Sequence, residues 1–201
     1  MIHPDTELRF INDVVGYGVV ATKFIPKGTI TWVQDALDQV YSPQQAAAID
    51  PLMQGYLERY CFVNNKGEKV LCWDNAKFVN HSFKSSCVST AYDFEIAIRD
   101  IHPGEELTDD YGYLNVSEPF EAMDEGTERK VVYPDDILRY HDIWDKAVQD
   151  NLGNIEAVQQ PLQKFIPQRQ WDAFSRVLSG EEQLKSITTC YFEQKIFNRP
   201  A

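Results

Sequence analysis

From Glu7 to Ile98 the apolar positions fall in short runs: ELRFI (7–11), GVVATKF (18–24), TITWV (29–33), YCFV (60–63), KVLC (69–72), CVSTAY (87–92) and FEIAI (94–98). Runs this short, rich in β-branched and aromatic residues and separated by turn formers such as Pro26-Lys27-Gly28 and Asn65 to Gly67, predict strands. One helix is predicted to interrupt them. Ser42-Pro43 offers an N-cap followed by proline at the first helical position, and the helix then runs through QQAAAIDPLMQGYLERY with a weak point at Pro51. Beyond Pro134 the period changes: Ile137, Tyr140, His141, Trp144, Ala147 and Val148 share one face of a helix. Further helical stretches are predicted around 154–165 and 168–179, limited by Pro161 and Pro167. The chain therefore divides into a mainly β part, residues 1–116, and residues 117–201, a polar connector (SEPFEAMDEGTERK, 117–130) leading into a helical C-terminal third.

With 201 residues, 43% hydrophobic and 25% charged, the chain is long enough for one domain, or one domain with an appendage. No stretch approaches the roughly 18 consecutive apolar residues of a membrane span, and MIHPDTELRF has neither the basic flank nor the apolar core of a signal segment. A protein without membrane attachment, in the cytoplasm, is the expectation, with the nucleus and chromatin left open. Cys61, Cys72, Cys87 and Cys190 are too sparse for a disulfide scaffold and form no C-x-x-C pair, which favours reduced thiols over a zinc site.

Charge changes the picture through its placement. Of the net −12, the segment from Asp100 to Asp145 carries −11, with 14 Asp and Glu against 3 Lys and Arg. Such a block repels phosphate backbones, so direct nucleic-acid binding is not expected. It reads either as a solvated acidic face or as an attractor for a cationic partner.

Three punctuated spots carry candidate chemistry. In VVGYGVVA, Gly16 and Gly18 flank Tyr17 before a strand, where absent side chains let a ligand approach the backbone; without a third glycine and a helix, a plain β-turn is the better reading of this spot alone. FVNHSFKSSC sets Asn80, His81 and Ser82 side by side, and HPGEELTDDYGY (102–113) has a turn at Pro103-Gly104, two glutamates, and Tyr111 followed by Gly112. A Ser82–His81 hydrolase is a poor reading, because adjacent residues do not readily pair as nucleophile and base and no nucleophile elbow is present.

Together and in this order, the three spots resemble the SET-domain protein lysine methyltransferases. The resemblance runs from about residue 5 to 115 and includes IPKGT and FEIAIRDIHPGEEL. It implies a mainly β SET-domain fold, short-stranded sheets with a knot-like crossing, carrying an α-helical C-terminal extension. It implies S-adenosylmethionine as cofactor, held by Gly16, Tyr17, Gly18, Asn80 and His81, and Tyr111 as the catalytic residue. Asp109 and Tyr113 fall where the family's lysine channel lies, and Tyr17, Tyr60, Trp73 and Phe78 are further candidates for its aromatic walls. The implied activity is methyl transfer to a lysine of a basic protein, histone-like or otherwise lysine-rich, to which the acidic block would be complementary.

This sequence departs from the family pattern at three places. Ser85 and Ser86 replace a frequent Pro-Asn. Cys87 matches a cysteine that in many members joins a zinc site, but only Cys190 follows it, so that site cannot form and no metal is expected. Asp109 stands where Phe or Tyr is common, which leaves the number of methyl groups open and keeps in view an alternative, a catalytically weak SET-like module that binds lysine-containing peptides. The apolar stripe from Ile137 to Val148 needs burial against the SET core, its own helices or a second copy of the chain; packing on the core, closing one wall of the peptide groove, is the expectation.

Overall fold

The computed structural model describes residues 1–193; residues 194–201, the end of the helical extension, lie outside the described residues. The apolar runs become strands, shorter than the runs themselves. In chain order come β1 (Thr6–Asn12), β2 (Gly16–Ala21), β3 (Ile30–Val33) and β4 (Gln39–Tyr41), then α1 (Pro43–Ala48) and α2 (Pro51–Tyr60), then β5 (Cys61–Val63) and β6 (Lys69–Leu71). β7 (Asn80–His81), β8 (Cys87–Ser89), β9 (Phe94–Ala97) and β10 (Glu106–Asp109) complete the β part. The connector forms a small ribbon of β11 (Phe120–Glu121) and β12 (Val131–Val132), and α3 (Asp136–Gln149), α4 (Leu152–Ala157) and α5 (Gln168–Leu178) follow.

Local chemistry accounts for the boundaries. Ser42 and Gln45 form a reciprocal capping box at the start of α1. The helix expected to run on to Tyr60 breaks where Pro51 cannot continue it, and it restarts because the Asp50 carboxylate accepts the Leu52 N–H at 2.9 Å. The helix expected over 154–165 is instead a short α4 and, beyond Pro161, a single 3₁₀ turn at Gln163–Phe165.

The strands make small sheets in the orders β1-β2-β10-β7, β3-β9-β8 and β4-β6-β5. All residues of β3 and β9 are buried, the polar Thr31 and Glu95 included. One cluster joins both parts of the chain: Tyr92, Phe94 and Ile96 with Ile137 and Trp144 of α3 and Phe174 of α5. Phe174, fully buried, stands edge-on to Tyr92 at 5.1 Å and to Phe94 at 4.9 Å. The helical third thus packs on the β core, as expected. Its helices do not line the cavity described below.

Two polar ties reinforce the union. The Gln160 side chain accepts the Ile30 N–H at 2.8 Å and donates to the carbonyls of Gly28 (2.8 Å) and Ile155 (2.9 Å), closing the edge beside β3. Gly28 has φ +90, and a Cβ there would come within 2.6 Å of the Asn154 backbone, so the IPKGT turn needs its glycine for two reasons. Asn115, in the left-handed region at φ 52, donates to the carbonyls of Val63 (2.9 Å) and Cys190 (2.8 Å) and accepts the Phe192 N–H at 3.0 Å.

A core shared in this way unfolds as one unit. Phe174→Ala is expected to cost about 3–5 kcal/mol, with helix circular dichroism and tryptophan fluorescence shifting together in urea. A loss confined to the helical signal would show that the extension is a separate unit.

Candidate functional site

The site is built on a crossing. β10 pairs antiparallel with β2, placing Leu107 opposite Val19, and on its other edge parallel with β7, placing Thr108 beside Asn80 and Asp109 beside His81. The chain then continues along the same partner: Ser82 N–H donates to the Asp109 carbonyl at 2.9 Å, and Ser86 N–H to that of Thr108 at 3.2 Å. The two polar motifs therefore meet, although 24 residues, 82–105, separate β7 from β10.

The residues expected to hold the cofactor gather around this crossing. Gly16 has φ +77 and would have nothing within 4 Å of a Cβ, so its backbone face is open. Gly18 needs its lack of a side chain for a different reason: a Cβ would lie 2.9 Å from Asn80 Nδ2 and closer still to the Glu106 carboxylate. Asn80 Nδ2 donates to the Tyr17 carbonyl at 3.1 Å and to Glu106 Oε1 at 2.6 Å. Burial pushes the Glu106 carboxyl up, opposed by the hydrogen bond from Asn80. An open glycine backbone beside a carbonyl, an amide and a carboxylate fits a small ligand with a cationic amino group. S-adenosylmethionine has such a group, so the residues present suit it.

His81 bridges the residues expected to hold the cofactor and the segment that carries Tyr111. Its Nδ1 accepts the Tyr111 N–H at 3.1 Å, and its ring is flanked by Phe83 (4.5 Å), Tyr111 (5.5 Å) and Phe120 (5.6 Å). Burial lowers its pKa, and its buried Nε2 has no hydrogen-bond partner among the described residues. A neutral ring accepting through Nδ1 keeps the proton on Nε2. Ser82 Oγ donates not to His81 but to Glu125 Oε1 at 2.7 Å, which disposes of a hydrolytic pair.

A cavity of about 740 Å³ opens on the other side of Tyr111. Its apolar wall includes Trp32, Tyr60, Phe62, Val79 and Phe120; Glu58, Arg59 and Glu118 line its exposed rim, and Lys69 and Lys77 are half-buried in its lining. The Tyr111 ring lines the cavity while its hydroxyl donates to the Val79 carbonyl at 2.6 Å. Burial first, then the nearby acids Asp109, Glu106 and Glu95, push the Tyr111 pKa up, so the hydroxyl keeps its proton.

Placement of the other expected channel residues is mixed. Asp109 lines the cavity. Tyr113 does not: it is buried against Trp144, ring centroids 5.2 Å apart, and reaches the site only through its hydroxyl, which donates to Asp109 Oδ1 at 3.0 Å. Of the other aromatics, Tyr60 lines the cavity, Tyr17 is exposed beside Phe10 on the β1–β2 hairpin, Trp73 is exposed with its indole N–H on Asp35, and Phe78 packs behind Tyr60 at 5.3 Å. The sequence reading missed Phe120, Trp32, Glu95, Glu125 and Arg129. Glu95 carried a signal, an acid at an inward position between Phe94 and Ile96.

The acidic block is not a uniform solvated face. Asp110 and Asp136 are buried and share Arg129, whose Nη1 bonds Asp110 and whose Nη2 lies 2.7 Å from Asp136 Oδ2. The guanidinium is stacked between the rings of Phe83 (4.5 Å) and Tyr140 (4.3 Å). Glu125 holds the loop after His81 through Ser82 Oγ and the Phe83 N–H, and Asp124 pairs with Lys130. What remains toward solvent at the cavity mouth is Glu118, with Glu121 exposed nearby in sequence.

Compared with models of known protein families, residues 16–112 match the SET domain, a span that begins at the open glycine of β2 and ends one residue past Tyr111. Compared with curated proteins, the chain matches none. The crossing, the glycine backbone and the Asn80-His81 and Tyr111 positions all fall inside the matched span, and residues 16–112 are a SET domain, a family whose members are generally protein lysine methyltransferases.

Proposed function

We propose that the protein transfers a methyl group from S-adenosylmethionine to the side-chain amine of a lysine in a basic protein, histone-like or otherwise lysine-rich. The observation that carries this reading is Tyr111. It stands between the Gly16–Gly18, Asn80 and His81 grip on one side and the aromatic cavity on the other. When bound, the cofactor supplies an electrophilic methyl group on a sulfonium.

The chain's own residues orient the acceptor. A lysine ammonium, with a reference pKa near 10.4, costs about 4–5 kcal/mol to deprotonate at pH 7, and entry into a desolvated aromatic cavity lowers that cost. The Tyr111 proton is committed to the Val79 carbonyl, so the hydroxyl oxygen offers its lone pairs to an amine N–H and fixes the direction of the nitrogen. Such orientation is worth roughly 7–11 kcal/mol at best. Trp32, Tyr60, Phe62 and Phe120 enclose the aliphatic stem and exclude water.

A second reading, a peptide-binding module without turnover, is favoured by the buried acid at Asp109. Calorimetric titration with S-adenosylmethionine separates the two, because the enzyme must bind it. Transfer of tritiated methyl onto a lysine-rich peptide or a whole-cell lysate tests the reaction itself.

Tyr111→Phe removes only the hydroxyl. It should keep the fold and cofactor affinity and lose on the order of 100-fold in kcat; an unchanged rate would remove Tyr111 from the chemistry. Asn80→Ala deletes the amide that ties Tyr17 to Glu106, and calorimetry should show weaker S-adenosylmethionine binding, with equal affinity counting against the grip. Glu118→Lys at the cavity mouth should raise KM for a basic peptide several-fold with little change in kcat, and should flatten the loss of wild-type activity between 0.01 and 0.15 M salt, over which the Debye length falls from about 30 to about 8 Å. Kinetics unaffected by both the substitution and salt would dismiss charge steering.

A further inference from the structure

The cavity wall contains a pair of acids that the reaction described above leaves unused. Glu95 and Asp109 both line it, at 8% and 5% exposure. Each carboxyl acts on the other's protonation, and two such buried neighbours are accommodated by sharing a proton. Each is also held from behind: Ser89 Oγ donates to Glu95 Oε1 at 2.8 Å, and the Tyr113 hydroxyl to Asp109 Oδ1 at 3.0 Å. Strand pairing sets Trp32 opposite Glu95. Trp32 lines the same cavity, is 7% exposed, and its indole N–H has no hydrogen-bond partner among the described residues. Buried polar groups are almost always satisfied. A buried acid pair fixed from behind and opening on a cavity marks a place for a guest that donates hydrogen bonds, while the Trp32 N–H beside it is left for an acceptor.

We propose that the Glu95–Asp109 pair receives the ε-ammonium of the substrate lysine and takes its proton, a role that rests on the reading of the site as a lysine methyltransferase. With one shared proton the pair carries one negative charge, which compensates an ammonium entering a dry cavity. An N–H bond of the ammonium breaks with its electron pair left on nitrogen, an O–H bond forms on Asp109, and the pair ends neutral with two protons. A cation and an anion become two neutral groups, the direction a low-dielectric site favours. The proton returns to solvent through the cavity mouth once product has left.

The charge states around the pair agree with this role. Burial pushes Asp109 up to about 6 and Glu95 well above its ordinary range, the latter also through the charge of Asp109. Arg59, Lys69 and Lys77 are cations lining the same cavity and Glu58 and Glu118 are anions there, so the pair is the buried negative charge among groups of both signs. Cys72, Cys87, Tyr111 and Tyr113 are all pushed up by burial and stay uncharged, Asp110 is paired with Arg129, and the Met1 amino group with Asp35. The pair is therefore a monoanion above about pH 6 and loses its charge below it. A carboxyl whose pKa is raised on folding costs stability as pH rises through that value. Asp109→Asn, whose amide keeps an acceptor for Tyr113 and a donor for Glu95, is thus expected to be at least as stable as the wild type at pH 8.

The test uses two peptides differing only in lysine or norleucine, which has the stem without the ammonium. The wild type should bind the lysine peptide about tenfold more tightly at pH 7.5 and lose that preference below about pH 6; Asp109→Asn and the double variant Asp109→Asn with Glu95→Gln, checked for fold by circular dichroism, should show no preference at either pH. In turnover both variants should lose about tenfold or more at pH 7 and recover toward pH 9.5, where solvent deprotonates the amine. A purely structural role would lower the rate equally at every pH, and that result, or an intact lysine preference in both variants, overturns the proposal. Binding preference is read without turnover. A wild type that transfers no methyl group would sink the methyltransferase reading, while the peptide pair still decides for or against the acid pair as an ammonium receptor.

Discussion

The parallel pairing of β10 with β7 is the constraint on which the site depends. Two residues of β7 carry the Asn80-His81 motif and the end of β10 carries Thr108-Asp109, and only their direct hydrogen-bonded contact brings the glycine backbone, the imidazole and Tyr111 within reach of one another. A parallel pair needs a long connection to return the chain in the same direction. Here that connection holds β8 and β9 and the PGEE turn, whose folds are set by Ser86, Thr108 and Glu105 bonding across it. A pairing this short supplies little energy of its own. Its position is imposed by the buried layers on both sides.

One of those layers is electrostatic. Arg129 joins Asp110, directly before Tyr111, to Asp136 at the start of α3, and stacks on Phe83 in the loop after His81. A buried ion pair is weak evidence of net stabilisation, but removing one partner leaves the others unpaired at a cost of several kcal/mol. Its value lies in specificity of position: one guanidinium ties the Tyr111 segment, the loop after His81, the connector and the helical third together. Gly112 is pressed into the same arrangement, since a Cβ there would stand 2.7 Å from the Arg129 Nη2.

Much of the fold was legible in the sequence because apolar periodicity and turn chemistry are local. The strands of GVVATKF and FEIAI, the stripe from Ile137 to Val148 and the weak point at Pro51 follow from residues a few positions apart. The positions of Gly16, Asn80, His81 and Tyr111 were legible as an ordered pattern. What was not legible depends on contacts across the crossing. Tyr113 has a ring and a hydroxyl that suit either channel or core, and only the docking of Trp144 decides between them. Phe120 sits among acids in a segment that reads as a linker, yet it walls the cavity. Charge counting treated Asp110, Glu125 and Asp136 as solvent-facing, because composition carries no information on burial.

The Gln160 side chain adds a constraint in time. It closes the backbone of Ile30 across 130 residues of sequence. Synthesis at roughly 5–20 residues per second puts on the order of ten seconds between the emergence of β3 and the arrival of the group that satisfies its edge. During that interval the strand presents an unpaired amide and an apolar face with no helix to cover it. The nascent chain therefore holds an adhesive sheet edge until its last third is made, which places the helical extension among the determinants of how cleanly the protein leaves the ribosome.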